Sequence, residues 1–456
     1  MKKTGEKNLF SHIALIILAV AFLCAICIPN RYTEPKRVIN WDVKEYYSYL
    51  PAFFIDHNIE MYGWTDDKPG FDQKYWPIHL GGDMFIIKMS MGNSFFYAPF
   101  FFIAHLLAAP LGYPADGYSF PYAFALLLSG AVFAWLGLLV LSKLLLRHFS
   151  DKITAITLLL LGLTSNLYWY ATFEAPMSHS YGFFLFACFL YLTELWYECP
   201  NWKNSILIGL VFGLISLVRP SNSIIVVIFL LYGVTSWKII SEHFQLYLKE
   251  WPKILTIIGL TLLVWVPQCL YWKHITGSFI FYSYCDEGFY WTDPKWFKVL
   301  FGFRKGLFIY SPILLAALAG YPLLWKRQKE YFWAIILFSI LNVYIVSSWW
   351  CWWYGGGFSI RAFVESIAIL SIPLSVFLTW ISEQKRWLRI TLSSIVLILA
   401  LQSSFHIVQY YNEVIHCGEM NKKAYFHFFW KVNRPDDYWD YIEIPHPENR
   451  PENPEK

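Results

Sequence analysis

Charge is scarce in this chain. Asp, Glu, Lys and Arg make up 15% of its 456 residues and nearly cancel, leaving a formal net charge of +4. So small an excess argues against a nucleic-acid partner held by a basic surface. It also leaves too little polar surface for the two or three soluble domains that length alone would allow. The eight cysteines supply no framework. Cys24 and Cys27 have C-x-x-C spacing but lie in an apolar run with no second ligand pair, which argues against zinc. Cys188 and Cys269 read as packing residues, and a Cys285–Cys417 disulfide is conceivable if both face an oxidising compartment. Processing signals are lacking as well. No A-x-A site follows the apolar run Leu9–Ile28, Phe22-Leu23 before Cys24 is not a lipoprotein box, and there is no internal repeat. With Lys2, Lys3 and Lys7 ahead of it, that run reads as an uncleaved anchor.

What the chain has in abundance is apolar side chains, 57% of all residues, a fifth of the chain being aromatic. They gather in runs at 9–28, 119–142, 153–170, 179–197, 204–218, 222–240, 252–271, 307–325, 331–349, 362–380 and 389–407. Most approach the roughly 20 residues that cross a bilayer core of about 30 Å. The expectation is an all-α polytopic membrane protein with about eleven transmembrane helices. Basic residues orient it. Lys143, Arg147 and Lys152, then Lys203, then Lys238, Lys249 and Lys253, then Lys326, Arg327 and Lys329, then Lys385, Arg386 and Arg389 occupy alternate short loops. The positive-inside rule makes those loops and the N-terminus cytoplasmic. Loop 272–306, with Lys273, Lys295, Lys298, Arg304 and Lys305, opposes that assignment from the outer side. Parity then requires 94–111 to be interfacial or re-entrant rather than an ordinary span.

Two units follow: a transmembrane domain over 1–408, whose outer loop 29–93 forms juxtamembrane helices, and an outer tail over 409–456. Turn material in that loop lies at Lys68-Pro69-Gly70 and Gly81-Gly82-Asp83. The tail ends in Pro, Glu and Asn, a composition expected to stay disordered.

The same parity puts the unusual polar residues on one face. Trp41-Asp42-Val43-Lys44-Glu45-Tyr46-Tyr47 sets a carboxylate beside a row of tyrosines just past the first span. Asp42 there is a candidate general base, with Tyr46 and Tyr47 beside it as candidate substrate contacts; the bland reading is a solvated loop carboxylate. Ala171-Thr172-Phe173-Glu174-Ala175-Pro176-Met177-Ser178-His179 is a polar break between spans. Glu174 and His179 could orient an acceptor or share a metal, although two ligands do not make a metal site. Arg219 in Val218-Arg219-Pro220 is either a substrate contact or an arginine snorkelling to headgroups. Arg304-Lys305-Gly306 opens a span, and Lys305 is suited either to a phosphate or to lipid headgroups.

The segment Trp349-Trp350-Cys351-Trp352-Trp353-Tyr354-Gly355-Gly356-Gly357 runs on to Arg361 and Glu365. An aromatic belt explains tryptophans. It does not explain three glycines, or Arg361 and Glu365 at i,i+4 spacing. Trp353, Arg361 and Glu365 are therefore candidate binding residues.

As a set, Trp41-Asp42 through Pro51, Glu174–His179, Arg304–Pro312 and Trp349–Arg361 resemble the GT-C superfamily of integral-membrane glycosyltransferases, protein O-mannosyltransferases and aminoarabinose transferases among them. The likeness runs to about residue 380. It implies an inverting transfer of sugar from a polyprenyl-phosphate donor to a hydroxyl of a lipid, glycan or protein. Asp42 matches the family's catalytic acidic position, and in the transfer it implies Glu174 is expected to orient the acceptor at the catalytic centre. Lys305 and Arg361 are placed as phosphate binders, on the outer face of a bacterial inner membrane. No cofactor is required by the resemblance, and a divalent metal stays open. The chain departs from the pattern twice. Glu45 comes three residues after Asp42 where many mannosyltransferases have adjacent Asp-Glu, and Cys351 follows Trp349-Trp350 where oligosaccharyltransferases carry W-W-D-x-G. The second departure, with the short tail, argues against transfer to an Asn sequon. A transporter or lipid flippase, and a glycan ligase or polymerase, are the competing readings.

Overall fold

The computed structural model describes residues 8–28, 31–62 and 73–442. Lys2, Lys3, Lys7, the turn Lys68-Pro69-Gly70 and the Pro- and Glu-rich end of the tail lie outside the described residues. Among the described residues nearly all of the regular secondary structure is helical. The one sheet is a two-stranded antiparallel hairpin, Ile78–Gly81 with Met84–Ile86.

Among the described residues five helices are long and apolar enough to cross a membrane: Leu9–Cys27, Phe120–His148, Trp251–Thr276, Lys329–Ser348 and Arg386–Tyr411. A sixth span is possible if Asp151–Thr164 and Asn166–Thr172, bent by 67°, count as one. Gly92–Ala108, Trp202–Val218, Pro220–Leu231 and Ile367–Ser382 are apolar but shorter. At about 1.5 Å per residue a helix of 17 residues reaches only about 25 Å. The protein is thus an all-α membrane protein by composition and length, but these lengths do not by themselves give eleven full spans.

The differences from the hydropathy pattern have local causes. The run 153–170 breaks at Ser165, whose hydroxyl donates to the Leu161 carbonyl at 2.6 Å and accepts from the Leu167 amide. A side chain that satisfies backbone groups on both sides of a break makes the break tolerable in an apolar setting. The run 222–240 divides at Gly233, which has φ +79°. Beyond it lies a separate amphipathic helix, Trp237–Lys249. The run 307–325 is interrupted at Ser311-Pro312, where the Ser403 hydroxyl accepts a hydrogen bond from the Ile313 amide at 3.0 Å. Segment 94–111 forms the helix Gly92–Ala108, with Phe96, Tyr97, Phe101, Ala104 and Ala108 buried against the bundle.

Helix pairs form the body: Phe120–His148 with Ser178–Glu198, Trp202–Val218 with Trp251–Thr276, and Leu314–Arg327 with Ile367–Ser382. Small residues permit close approach between apolar helices. At Gly320 a Cβ would stand 1.9 Å from the Pro373 carbonyl oxygen, so only glycine fits there. One end of the bundle is laced by ion pairs among the basic loops. Arg147 pairs with Glu194 and Glu198, His148 Nε2 meets Glu194 Oε2 at 2.8 Å, and Arg327 pairs with Glu383. The other end holds the helix termini that build the site.

Candidate active site

Asp42 lies in the first turn of helix Trp41–Phe54, just after the first span. Residues three and four apart share a helix face, so Asp42, Glu45, Tyr46 and Tyr49 lie together. Asp42 Oδ2 is 2.7 Å from Arg361 Nη2, with the two side chains 25% and 18% exposed. Opposite charges at that distance form an ion pair, and this one still faces water. Arg361 stands at the start of a short 3-10 turn ahead of helix Ile367–Ser382.

Behind this pair is a second, deeper group. Glu365 Oε1 lies 3.0 Å from His179 Nδ1 and 3.6 Å from Arg219 Nη1, and Arg219 Nη1 is 3.3 Å from His179 Nδ1. Glu365 is buried and its Oε2 has no hydrogen-bond partner among the described residues. The carboxylate therefore holds a histidine and an arginine in place from beneath.

A cavity of about 290 Å³ opens between these groups, lined by Asp42, Tyr46, Lys88, Ser178, His179, Arg219, Tyr284, Glu287, Trp349, Trp350, Tyr354 and Arg361 among others. The structure thus brings together Asp42, Tyr46, His179, Arg219 and Arg361, drawn from four separate stretches of sequence. Tyr46 donates toward Ser178 Oγ at 3.5 Å. The remaining candidates lie elsewhere. Tyr47 points into the core and donates to the Gly117 carbonyl at 2.6 Å, because consecutive helix positions face about 100° apart. Trp353 is turned away from the cavity, with the Arg304 guanidinium 3.9 Å above its ring; Trp349, Trp350 and Tyr354 line the wall instead. Glu365 supports the cavity without lining it.

Lys305 is buried, and its ammonium donates to the Gly357 carbonyl rather than facing either cavity. Burial pushes its pKa down to about 7. Glu174 lines a different, larger cavity beyond the glycine segment.

That segment is the partition between the two. Gly355 lines the first cavity, while a Cβ on Gly357 would lie 2.7 Å from Tyr170 Oη and 3.6 Å from Glu174 Oε2. Gly357 has φ +138°, and both Tyr354 and Ser359 hold positive φ without being glycine. Such backbone persists only where the surroundings fix it. Here Lys305 holds the carbonyl of 357, Tyr170 Oη that of 358 at 3.0 Å, and Asn166 Nδ2 that of 360 at 3.3 Å.

Three residues without a motif of their own also belong to the site. Lys88 and Glu287, from two separate loops, form an ion pair at 2.6 Å in the cavity wall. Glu45 lies beside them, mostly buried, with Oε2 lacking a hydrogen-bond partner among the described residues. Burial, and then the negative charge of Asp42, raise its pKa to about 8 against the pull of Lys88. Its i,i+3 relation to Asp42 was the one sequence signal available. Among the described residues no three His, Cys, Asp or Glu side chains group as a metal cage, and the Asp42 carboxylate in the cavity lining is paired with a guanidinium.

No family model and no curated protein match the chain. Solved structures do. The oligosaccharyltransferase AglB of Archaeoglobus fulgidus, solved with an inhibitory peptide and a dolichol-phosphate, aligns at TM-score 0.51 and 12% identity, covering 97% of this chain and 60% of that one. The apo form from the same organism aligns at 0.51 and 12%, over 97% and 61%. A complex with zinc and sulfate aligns at 0.51 and 14%, over 95% and 59%. The chain therefore spans about 60% of the length of these proteins. Over nearly its whole length the chain shares the fold of the matching part of that oligosaccharyltransferase. The likeness falls on an oligosaccharyltransferase even though Cys351 replaces the aspartate of W-W-D-x-G, and identity this low establishes the fold alone.

Proposed function

We propose that this chain is an inverting glycosyltransferase that moves a sugar from a polyprenyl-phosphate donor to a hydroxyl on the outer face of the membrane. The observation that carries the reading is the Asp42–Arg361 pair at the mouth of a cavity that also holds Arg219. One carboxylate and two guanidiniums are what a transfer from a phosphate ester requires. The fold adds weight, since AglB was solved with a dolichol-phosphate.

In this mechanism the acceptor hydroxyl gives its proton to an Asp42 carboxylate oxygen as its own oxygen bonds to the anomeric carbon. The bond from that carbon to the phosphate oxygen breaks, and its electron pair leaves on the polyprenyl phosphate. Arg361 has five N–H donors, of which Asp42 engages one group, so the same guanidinium can bridge base and phosphate. Arg219, held by Glu365, faces the cavity as the second cation. Lys305 acts through the backbone it holds. Glu174 belongs to the acceptor side. The setting is a bacterial inner membrane with the N-terminus in the cytoplasm.

A transporter is the weaker alternative, because intramembrane carriers place ionisable groups near mid-bilayer, whereas these gather at the helix ends. The test is Asp42→Asn in membranes supplied with lipid-linked sugar. Unchanged expression with transfer lost, by on the order of 10³-fold or more for a missing base, is expected. Full transfer removes Asp42 from the mechanism, and substrate movement without covalent product favours the carrier.

A further inference from the structure

The second cavity, of about 540 Å³, is larger than the first. Its size falls within the roughly 300–1,000 Å³ of small-molecule sites. It is built largely by the segment after the last long helix. That segment is anchored where Gln409 Nε2 donates to the carbonyls of Phe428 at 2.9 Å and Lys431 at 2.8 Å, and Asn412 Nδ2 to that of Val432 at 2.9 Å.

Its lining is aromatic and paired. Trp169, Tyr410, Tyr411, Tyr438 and Trp439 present rings to it. Arg434 lies 4.4 Å from the Tyr438 ring centre and 4.6 Å from that of Trp439, and pairs with Glu413 at 3.4 Å. Arg37, also in the lining, pairs with Glu34 at 2.5 Å. Trp169 is buried, and its indole N–H has no acceptor among the described residues. A buried donor left unpaired costs free energy unless a ligand or water completes it.

We infer that this cavity binds a neutral glycan, the part of the acceptor that does not react. Flat rings with electron-rich faces suit the C–H faces of pyranoses. Guanidinium–carboxylate pairs offer donors and acceptors to hydroxyls while carrying little net charge, which disfavours an anionic lipid or peptide. The cavity abuts the first across one backbone segment, Gly355–Gly357, with Glu174 against Gly357. Binding there spends remote contacts on placing the reacting hydroxyl near Asp42. The inference rests on the transferase reading, but its occupant can be read separately.

The experiment places p-benzoylphenylalanine at position 439 of the full chain in its native membrane, irradiates, and weighs the peptides. The expected product is an adduct whose added mass is destroyed by periodate, which cleaves the vicinal diols of carbohydrate. An adduct of protein or of diol-free lipid, or none above the dark control, overturns the inference. Arg434→Ala is expected to lower kcat/KM for the acceptor about 10-fold, with part of the loss in kcat. An unchanged kcat/KM also counts against it. If Asp42→Asn abolishes transfer and no glycan adduct forms, the transferase reading stands without this cavity. If the adduct forms and Asp42→Asn transfers normally, the cavity stands and the mechanism falls.

Discussion

Arg361 is the residue on which the geometry turns, since it touches Asp42 and approaches the glycine segment. A lysine there keeps the charge but loses the planar fork that lets one side chain hold a carboxylate and a phosphate together. Arg361→Lys is expected to lower transfer on the order of 100-fold with normal expression, as measured with lipid-linked sugar in isolated membranes. Glu45 gives a pH signature. Its pKa is raised from 4.5 to about 8 in the folded chain, so between those values the folded state holds a proton that the unfolded state has released. The stability that Glu45 contributes is therefore full below about pH 4.5 and is lost as pH rises toward 8. Glu45→Gln removes that decline. Thermal unfolding in detergent from pH 5 to 8 should show the wild type losing on the order of 5 °C relative to the variant. Equal slopes would sink the assignment. The stretch around Asp42 and the Arg361 segment were legible in the sequence because each breaks the monotony of apolar runs. Lys88 and Glu287 were not, because two unremarkable loop charges 199 residues apart meet only through the fold.

At the scale of elements, the glycine segment is a partition whose backbone from 357 to 360 is held by three side chains from two other stretches. Gly357→Ala meets two separate obstacles: φ +138° and the Tyr170 hydroxyl 2.7 Å from the new Cβ. The backbone part costs about 1–3 kcal/mol. Tyr170→Phe removes the steric part and also a hydrogen bond to the Phe358 carbonyl, so the double variant is expected to recover only part of the lost Tm and transfer. Complete recovery would show that the backbone is not strained. Helix Trp237–Lys249 is a different case. Wound at about 100° per residue, it divides into three faces. Ile239, His243 and Tyr247 turn toward the body, and Lys238, Glu242, Gln245 and Lys249 are polar and exposed. Trp237, Ile240, Phe244 and Leu248 are apolar and also exposed, Trp237 by 87%. Such a helix rests in the headgroup layer. Phe244→Asp should cost about 2 kcal/mol in lipid nanodiscs, while Gln245→Asp on the polar face should change little. Hydropathy had merged part of this helix with the span before it. An averaging window does not register Gly233, just as it missed Ser165 and Pro312, where single side chains satisfy or excuse a broken backbone.

For the whole molecule, the fold predicts that the two ends of the bundle face different compartments. The ion-paired end, with Arg147, Glu194 and Glu198, also carries Cys199 at the end of helix Ser178–Glu198. The site end carries Cys285 and Cys417, which are free and exposed. Cys417 also lines the second cavity. The disulfide that the sequence allowed between them is not formed. Three native thiols therefore mark the two ends without any engineered probe. In intact cells or right-side-out vesicles, a membrane-impermeant maleimide should label Cys285 and Cys417 and leave Cys199 untouched until the membrane is opened. All three are exposed, so the difference expected between Cys199 and the other two is the membrane barrier. The reverse pattern would place Asp42 in the cytoplasm, where the acceptor and donor surfaces argued above would face the wrong pool of lipid-linked sugar. Labelling at both ends from outside would mean that the bundle does not separate two compartments as the alternation of basic loops requires.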